Sequence, residues 1–383
     1  MERGNPRCMT SQTVLIAAFS GRALAQSARR AGYVPLVADA FGDLDTRAAA
    51  QAFEIIPDAM RTGFRAKPLI AALDALVAAA PSKPIGLVLG SGLEDKPRLW
   101  DILDKRYGVL GCNAETVRAC KDPQIFFPVL DELGIPHPET RMTPPENPEG
   151  WITKRVGGSG GRHIRFANAA SRAKPRRYFQ RLLEGEKISL SAVVASDGIS
   201  TAASRQWCAP GSSLPFRYGG AVGLADSSSA TRLAMLTCIE KLARGLELRG
   251  LVSLDFVVSN GISYLLEINP RPGATIDILD DEHGTLLHSH VAACKSQPIE
   301  RRGGDSEAYK AAAILHADRG ALTLGQFDWP EWAADKGAPG TRIPIGAPIA
   351  TVFAEAPTSD AAEALARVRL AALESLIYES SVL

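Results

Sequence analysis

Apolar runs bounded by turn residues alternate with helical-period segments through the first third of the chain. Val14–Phe19 is followed by Ser20-Gly21-Arg22 and the helical stretch Ala23–Gly32, then by a second apolar run, Tyr33–Ala38, ending at Asp39. Strand, turn, helix, strand in that order predicts a parallel α/β unit, with ligands expected at the carboxyl ends of its strands. Ser20-Gly21 does not extend into a GxGxxG fingerprint, so a nicotinamide cofactor is not indicated. Pro68–Ala80 repeats apolar residues at helical spacing, and Ile85–Leu89 reads as a buried strand running into Gly90-Ser-Gly-Leu-Glu94. That loop is either a plain βα connection or a presentation of backbone N–H groups and Glu94 to a small substrate. Tyr107–Gly111 reads as a short strand and Asn113–Ala119 as a helical turn. Asp122-Pro123 opens a fresh helix with an N-cap and a proline at its first position. Phe126, Phe127, Leu130 and Leu133 line one face of that helix, and Gly134-Ile-Pro136 stops it.

The pattern then turns to strands. Trp151–Val156 leads into Gly157-Gly-Ser-Gly-Gly161, the most glycine-rich stretch of the chain, and His163–Phe166 follows. Tyr178–Leu183 ends in Glu184-Gly185-Glu186, and Ile188–Ala195 is expected to be its antiparallel partner. After the Asp197-Gly198 turn comes Ile199–Trp207, which carries Arg205. The loop Phe216–Gly220 is a candidate substrate contact, and Ala230–Leu248 an amphipathic helix. Leu251–Val258 and Ile262–Ile268 flank Ser259-Asn260-Gly261, a strong hairpin signal because Asn and Gly tolerate positive φ. The chain from Tyr309 onward, with turns at Pro339-Gly340 and Ile345-Gly346 and a closing helix Ala361–Leu376, predicts a small β-rich cap.

Composition narrows the class. The 383 residues are 46% hydrophobic and 22% charged, as in a globular enzyme of two or three domains. A net charge of +1 gives no global field for nucleic acid or an anionic membrane. Cys8, Cys112, Cys120, Cys208, Cys238 and Cys294 lack CxxC or Cys/His spacing, which argues against zinc and fits free thiols in a reducing cytoplasm. Met1–Gln12 is polar and Val14–Phe19 too short for a signal peptide or membrane span, so a cytoplasmic protein is expected.

The hairpin carries the chemistry. Folding at Asn260-Gly261 brings Asp255 and Glu267 close to opposite one another, with Asn269 two residues on. Two carboxylates and an amide oxygen in an apolar sheet repel unless a cation sits among them, and hard oxygen ligands suit Mg²⁺. Arg271 follows Pro270 and is positioned to clamp an anion. Lys154, on the strand feeding the glycine loop, points to phosphate held by lysine and backbone N–H groups. His283, His288 and His290 do not share one face of a helix or strand and are read as structural or substrate-facing.

A lysine before a helix, a lysine before a Gly-rich loop, a strand with an acidic hinge, then Asp…Glu-x-Asn-Pro-Arg resembles the ATP-grasp superfamily. The resemblance covers roughly residues 110 to 300 and implies a fold of mixed α/β and α+β class. An N-terminal parallel α/β domain (1–110) would precede a two-lobed ATP-grasp domain (111–300, lid lobe about 143–197) and a C-terminal β-rich cap (301–383). It implies ATP and Mg²⁺ as cofactors, with Lys154, Gly158, Ser159, Gly160 and Gly161 on the phosphates and Lys121 a second phosphate lysine. Lys121 stands slightly earlier, relative to Gly134-Ile-Pro136, than in other members. Gln180 and Leu182 would flank adenine and Glu184 or Glu186 the ribose; Asp255, Glu267 and Asn269 would bind Mg²⁺. Lys154 and Arg271 would be the catalytic residues. The implied activity is ADP-forming ligation of a small-molecule acid to an amine, with no nucleic-acid or membrane partner; a homodimer is left open. Lys121-Asp-Pro123 and Glu267-Ile-Asn-Pro-Arg-Pro-Gly273 are similar to ligases that join glutamate to an aromatic amine such as tyramine in the biosynthesis of methanofuran-type one-carbon carriers. Alternatives are a bicarbonate-dependent carboxylase of the same fold and a non-catalytic ATP-binding regulatory protein.

Overall fold

A computed structural model describes residues 12–209, 214–224, 230–300 and 308–381. The polar start of the chain through Ser11, with Cys8, lies outside them. The first layer runs β1 (Thr13–Ala17), α1 (Arg22–Arg30), β2 (Val34–Asp39), α2 (Leu44–Ala49), β3 (Ala52–Ile55), α3 (Ala59–Thr62), α4 (Ala66–Ala78), β4 (Leu87–Leu89), α5 (Pro97–Tyr107) and β5 (Val109–Leu110). Its five strands are parallel in the order β3-β2-β1-β4-β5. β1 is wholly buried, as expected of a strand covered on both faces.

Two helices follow, α6 (Ala114–Lys121) and α7 (Pro123–Glu132). Asp122 ends the first and caps the second, its side chain accepting from Gln124 N. Lys121 is therefore the last residue of α6, not a linker residue. A four-stranded antiparallel sheet comes next, built from β6 (Thr140–Arg141), β7 (Trp151–Arg155), β8 (Arg165–Phe166) and β9 (Arg177–Arg181) in the order β6-β9-β7-β8.

The third body is an eight-stranded sheet. It takes in β10 (Glu186–Ala195), β11 (Gly198–Cys208), β12 (Tyr218–Gly223), β13 (Gly250–Ser259) and β14 (Ile262–Asn269), with α8 (Ala230–Gly245) before the β13–β14 hairpin. Past α9 (Ile276–Leu279) and α10 (Thr285–Cys294), β15 (Tyr309–His316) rejoins it. A small pair, β16 (Leu322–Thr323) with β18 (Arg342–Ile343), brackets β17 (Ala333–Ala334); β19 (Pro348–Ala356) and α11 (Ser359–Ser380) close the chain. The order is β14-β13-β10-β11-β12-β15-β19-β17, so the C-terminal β-rich cap extends the central sheet.

One expected pairing is corrected. The strand at 188–195 does not pair with 178–183; it leaves the four-stranded sheet and inserts between β11 and β13. At the crossing, Gly185 has φ +155° and lies so close to β13 that a Cβ there would stand 2.1 Å from the Val258 carbonyl oxygen. Backbone packs on backbone at the hinge, which only glycine permits. Among the described residues no helix is long and apolar enough to cross a membrane.

Candidate active site

The hairpin register sets Asp255 directly opposite Glu267 and Ser253 opposite Asn269, with a bulge after Asp255. The bulge puts one extra residue, Leu266, into β14, and as directly opposed residues both carboxylates share a face. Around them the hydrogen bonds form a chain. Lys121 Nζ donates to Asn269 Oδ1 (2.8 Å), and Asn269 Nδ2 donates to Asp255 Oδ2 (2.9 Å). Ser189 Oγ, from the neighbouring β10, donates to Asp255 Oδ1 (2.7 Å). Lys154 reaches in from β7, with Nζ 4.0 Å from Glu267 Oε2 and 3.3 Å from Gln180 Oε1.

The two carboxyls are electrostatically unequal. Burial, then the charge of Glu267, pushes Asp255 up to about 6. Burial also opposes the Glu267 anion, but Lys121, Lys154 and His163 outweigh it and hold that carboxyl down at about 2. Burial likewise works against the Lys154 cation, yet Tyr178, Glu267 and Asp255 together raise it above its ordinary value. Glu267 thus carries the firmer negative charge of the pair and Asp255 the weaker one, the inequality expected of facing carboxylates in a dry site.

Beside this face lies a cleft of about 320 Å³, lined by Lys121, Phe126, Arg155, Gly158, Tyr178 and Glu267 among others. The glycine loop roofs it. Tyr218 N donates to Gly160 O (3.1 Å), and a Cβ on Gly161 (φ +69°) would fall 1.7 Å from the Phe216 carbonyl oxygen. Arg162 Nη1 donates to Gly346 O (2.9 Å), and Arg176 Nη2 to Asp95 O (2.7 Å). The four-stranded sheet is therefore docked against both the central sheet and the N-terminal layer.

The other expected residues are placed as follows. Gln180 is buried, donating through Nε2 to Thr140 Oγ1 (3.2 Å), and Leu182 N donates to Gly150 O (2.8 Å). Glu184 is exposed in the hinge. Glu186 sits elsewhere: strand alternation puts it with Ile188, on the face opposite Ser189, and its carboxylate lies 4.0 Å from Arg205, which also pairs with Asp360 and Glu363. Arg271 is buried, and its Nε donates to Glu94 Oε1 (2.6 Å). Glu94 in turn accepts from Gly92 N and Leu93 N through Oε2, and the Arg271 and Lys121 charges outweigh burial to lower it. Glu94 thus anchors an arginine, and of the two readings of the Gly90–Glu94 loop this arrangement agrees with the plain βα connection, since both carboxylate oxygens are engaged within the protein. His290 is structural: Leu251 N donates to its Nδ1 (2.8 Å) and its Nε2 bonds Leu110 O (3.0 Å). The five cysteines among the described residues are free thiols.

Sequence reasoning missed Ser189 and Lys187, which share the Asp255 face by alternation, and His163. The first two were hidden by the mistaken partner of β10. His163 was read as a strand residue, although its neighbours are the loop glycines.

The fold these sheets and this site define is the ATP-grasp fold. Residues 120–275 match the sequence profile of the ATP-grasp domain. The chain is similar to the carbamoyl phosphate synthase large chain of Thermoanaerobacter pseudethanolicus, 24% identical over 232 residues; the match takes up 54% of this chain and 21% of that one. The chain therefore spans about a fifth of the length of this curated relative. Among solved structures, phosphoribosylamine–glycine ligase of Thermotoga maritima superposes with TM-score 0.69 at 15% identity, covering 97% of each chain. Biotin carboxylase of Campylobacter jejuni gives 0.68 at 14% identity, covering 97% of this chain and 91% of that one.

Proposed function

We propose that the protein is an ADP-forming, ATP-dependent ligase that activates a carboxylate as an acyl phosphate and couples it to an amine. The observation that carries this reading is the convergence of Asp255, Glu267 and Asn269 with Lys121 and Lys154 beside one glycine-roofed cleft. Mg²⁺ fits the donor set, which offers hard oxygens on two paired strands, and Asp255, Glu267 and Asn269 would hold it to neutralise phosphate charge. Lys154 and Lys121 bind the phosphates, with backbone of Gly158, Ser159, Gly160 and Gly161 above them. Gln180 and Leu182 flank the adenine. Of the two hinge carboxylates Glu184 meets the ribose, since Glu186 is engaged on the other face of the sheet.

Arg271, its guanidinium oriented by Glu94, holds the acid. A carboxylate oxygen attacks the γ-phosphorus and ADP departs; the amine then attacks the acyl carbon, phosphate leaves, and the nitrogen gives up a proton. Such phosphoryl transfer rests on positioning and charge neutralisation, which lysines and arginine supply. In the finer reading the acid is an amino acid such as glutamate and the amine aromatic, with Tyr218, whose phenol Asp277 and Asp255 both influence, at the acceptor. The test is ADP release against a panel of acids and amines. Release that needs both an acid and an amine supports the ligase. Release that follows bicarbonate alone, in keeping with the likeness to biotin carboxylase, replaces it with a carboxylase.

A further inference from the structure

The glycine loop holds one side chain that the reading above leaves unused. His163 stands one residue past the loop, after Arg162, and its ring is pressed onto Gly158 so closely that a Cβ there would meet Cγ at 2.3 Å. Its Nδ1 is buried and has no hydrogen-bond partner among the described residues. A buried ring nitrogen without a partner costs free energy unless something meets it. The contact locates the ring: Gly158 lines the cleft together with Lys121 and Glu267, so the imidazole stands behind the roof at the end where the lysine and the carboxylate meet.

From this placement we infer that His163 is a ligand-contacting residue of the lid, its Nδ1 hydrogen-bonded to the terminal phosphoryl group of bound nucleoside triphosphate. The inference rests on the nucleotide reading of the cleft and adds a residue to it. Three features agree. Packing on Gly158 fixes the ring relative to the loop, so the imidazole moves with the roof. Its position against Gly158, which lines the cleft with Lys121 and Glu267, sets it where a terminal phosphoryl group would face the carboxylate pair. Burial, with Lys154 and Lys121, holds the ring neutral against Glu267 and the Ser159 backbone, and a neutral imidazole donates from whichever ring nitrogen carries its proton. A contact to the terminal group alone makes the roof a sensor of triphosphate over diphosphate.

The experiment compares Mg²⁺-loaded ADP with a non-hydrolysable ATP analogue by calorimetry on the full chain. His163→Ala and His163→Phe should each bind ADP as the wild type does. Both should bind the analogue about tenfold more weakly or worse, the loss of one hydrogen bond to a charged group. The Phe variant keeps ring volume against Gly158, so a selective loss in both variants separates the nitrogen from packing. Analogue affinity retained in His163→Phe overturns the inference, as does an equal loss for both nucleotides in that variant. A wild-type chain that binds neither nucleotide removes the nucleotide reading itself, and the role of His163 with it.

Discussion

At the scale of single residues, the site is built from charges that do not balance pairwise. Asp255 is disfavoured as an anion by burial and by Glu267, whereas Glu267 is favoured by two lysines. Neutral isosteres should therefore differ in stability while agreeing in activity. Asp255→Asn is expected to melt at or above the wild-type temperature and Glu267→Gln below it, because the latter leaves Lys121 and Lys154 facing less negative charge. Both should lose ADP release if the pair holds the metal. Equal melting shifts in the two variants would contradict the asymmetry. His290 gives a second prediction, remote from the cleft. Burial holds it down at about 4 against an ordinary 6.5, with Arg249 adding to the effect and the Leu110 carbonyl opposing it. A histidine with a lowered folded pKa contributes stability that is complete above pH 6.5 and lost as pH falls toward 4, because the unfolded chain takes up the proton first. The full shift corresponds to about 3 kcal/mol. Urea titrations between pH 7 and pH 4 should show the slope, and His290→Gln should flatten it.

At the scale of elements, the lid is the part whose behaviour follows from backbone geometry. Gly161 combines a left-handed backbone with contact against the Phe216 carbonyl, so Gly161→Ala cannot keep the loop seated. Strain of about 1–3 kcal/mol should lift the roof. The Tyr218 amide, which donates to Gly160 O, should then exchange faster, while an ATP analogue should slow exchange across residues 154–166 in the wild type and less so in the variant. Unchanged exchange at Tyr218 would show that the loop is held elsewhere. The same elements show how far the sequence was readable. Asn260-Gly261 sets the pairs from Ser259–Ile262 to Phe256–Leu265 by turn chemistry, and so Glu267 could be read as close to opposite Asp255 without coordinates; the bulge at Leu266, which sets the two directly opposite, could not. Glu184-Gly185-Glu186 carries an equally short loop, but the chain changes sheet there. Short loops between strands read as hairpins unless something forbids it. What forbids it is Val258 of β13, more than seventy positions along the chain and invisible to local pattern. Ser189 and Lys187 were lost with that register, and Glu186 was kept as a ribose candidate although its face points away. The Arg271–Glu94 pair was unreadable for a similar reason: two residues 177 apart meet only once the first sheet is docked.

At the scale of the whole molecule, Arg22 ties three parts of the chain together. It comes from α1 of the N-terminal layer, and its Nη1 and Nη2 grip both oxygens of Asp277 on α9 (2.8 and 2.5 Å). Its Nε donates to Asp335 Oδ1 (2.7 Å), next to β17 in the C-terminal strands. Asp335 is fastened further by Thr351 Oγ1 of β19 and Ser20 Oγ. The Arg22 side chain is 2% exposed, that of Asp277 11% and that of Asp335 25%, so the network is dry at the guanidinium and partly open at Asp335. A buried ion network is weak ground for claiming net stabilisation, but removing one member is costly because the remaining charges have lost their compensation. Arg22→Ala leaves Asp277 and Asp335 facing each other without a cation, and about 3–5 kcal/mol should be lost at pH 7. The pH dependence identifies the cause. With Arg22 present, burial already holds Asp277 above its ordinary value while Arg22, against burial, holds Asp335 below it; without Arg22 both rise, so the folded variant takes up more protons than the folded wild type as pH falls. Its stability must then rise, relative to wild type, as pH falls toward 4. Packing loss alone would give a deficit independent of pH, and Arg22→Met, which restores most of the volume but no charge, should behave like Arg22→Ala. Denaturant titrations of the three proteins at pH 7 and pH 4.5 decide between the two accounts. A deficit of equal size at both values would show that Arg22 acts as filler and not as the charge that joins the three parts.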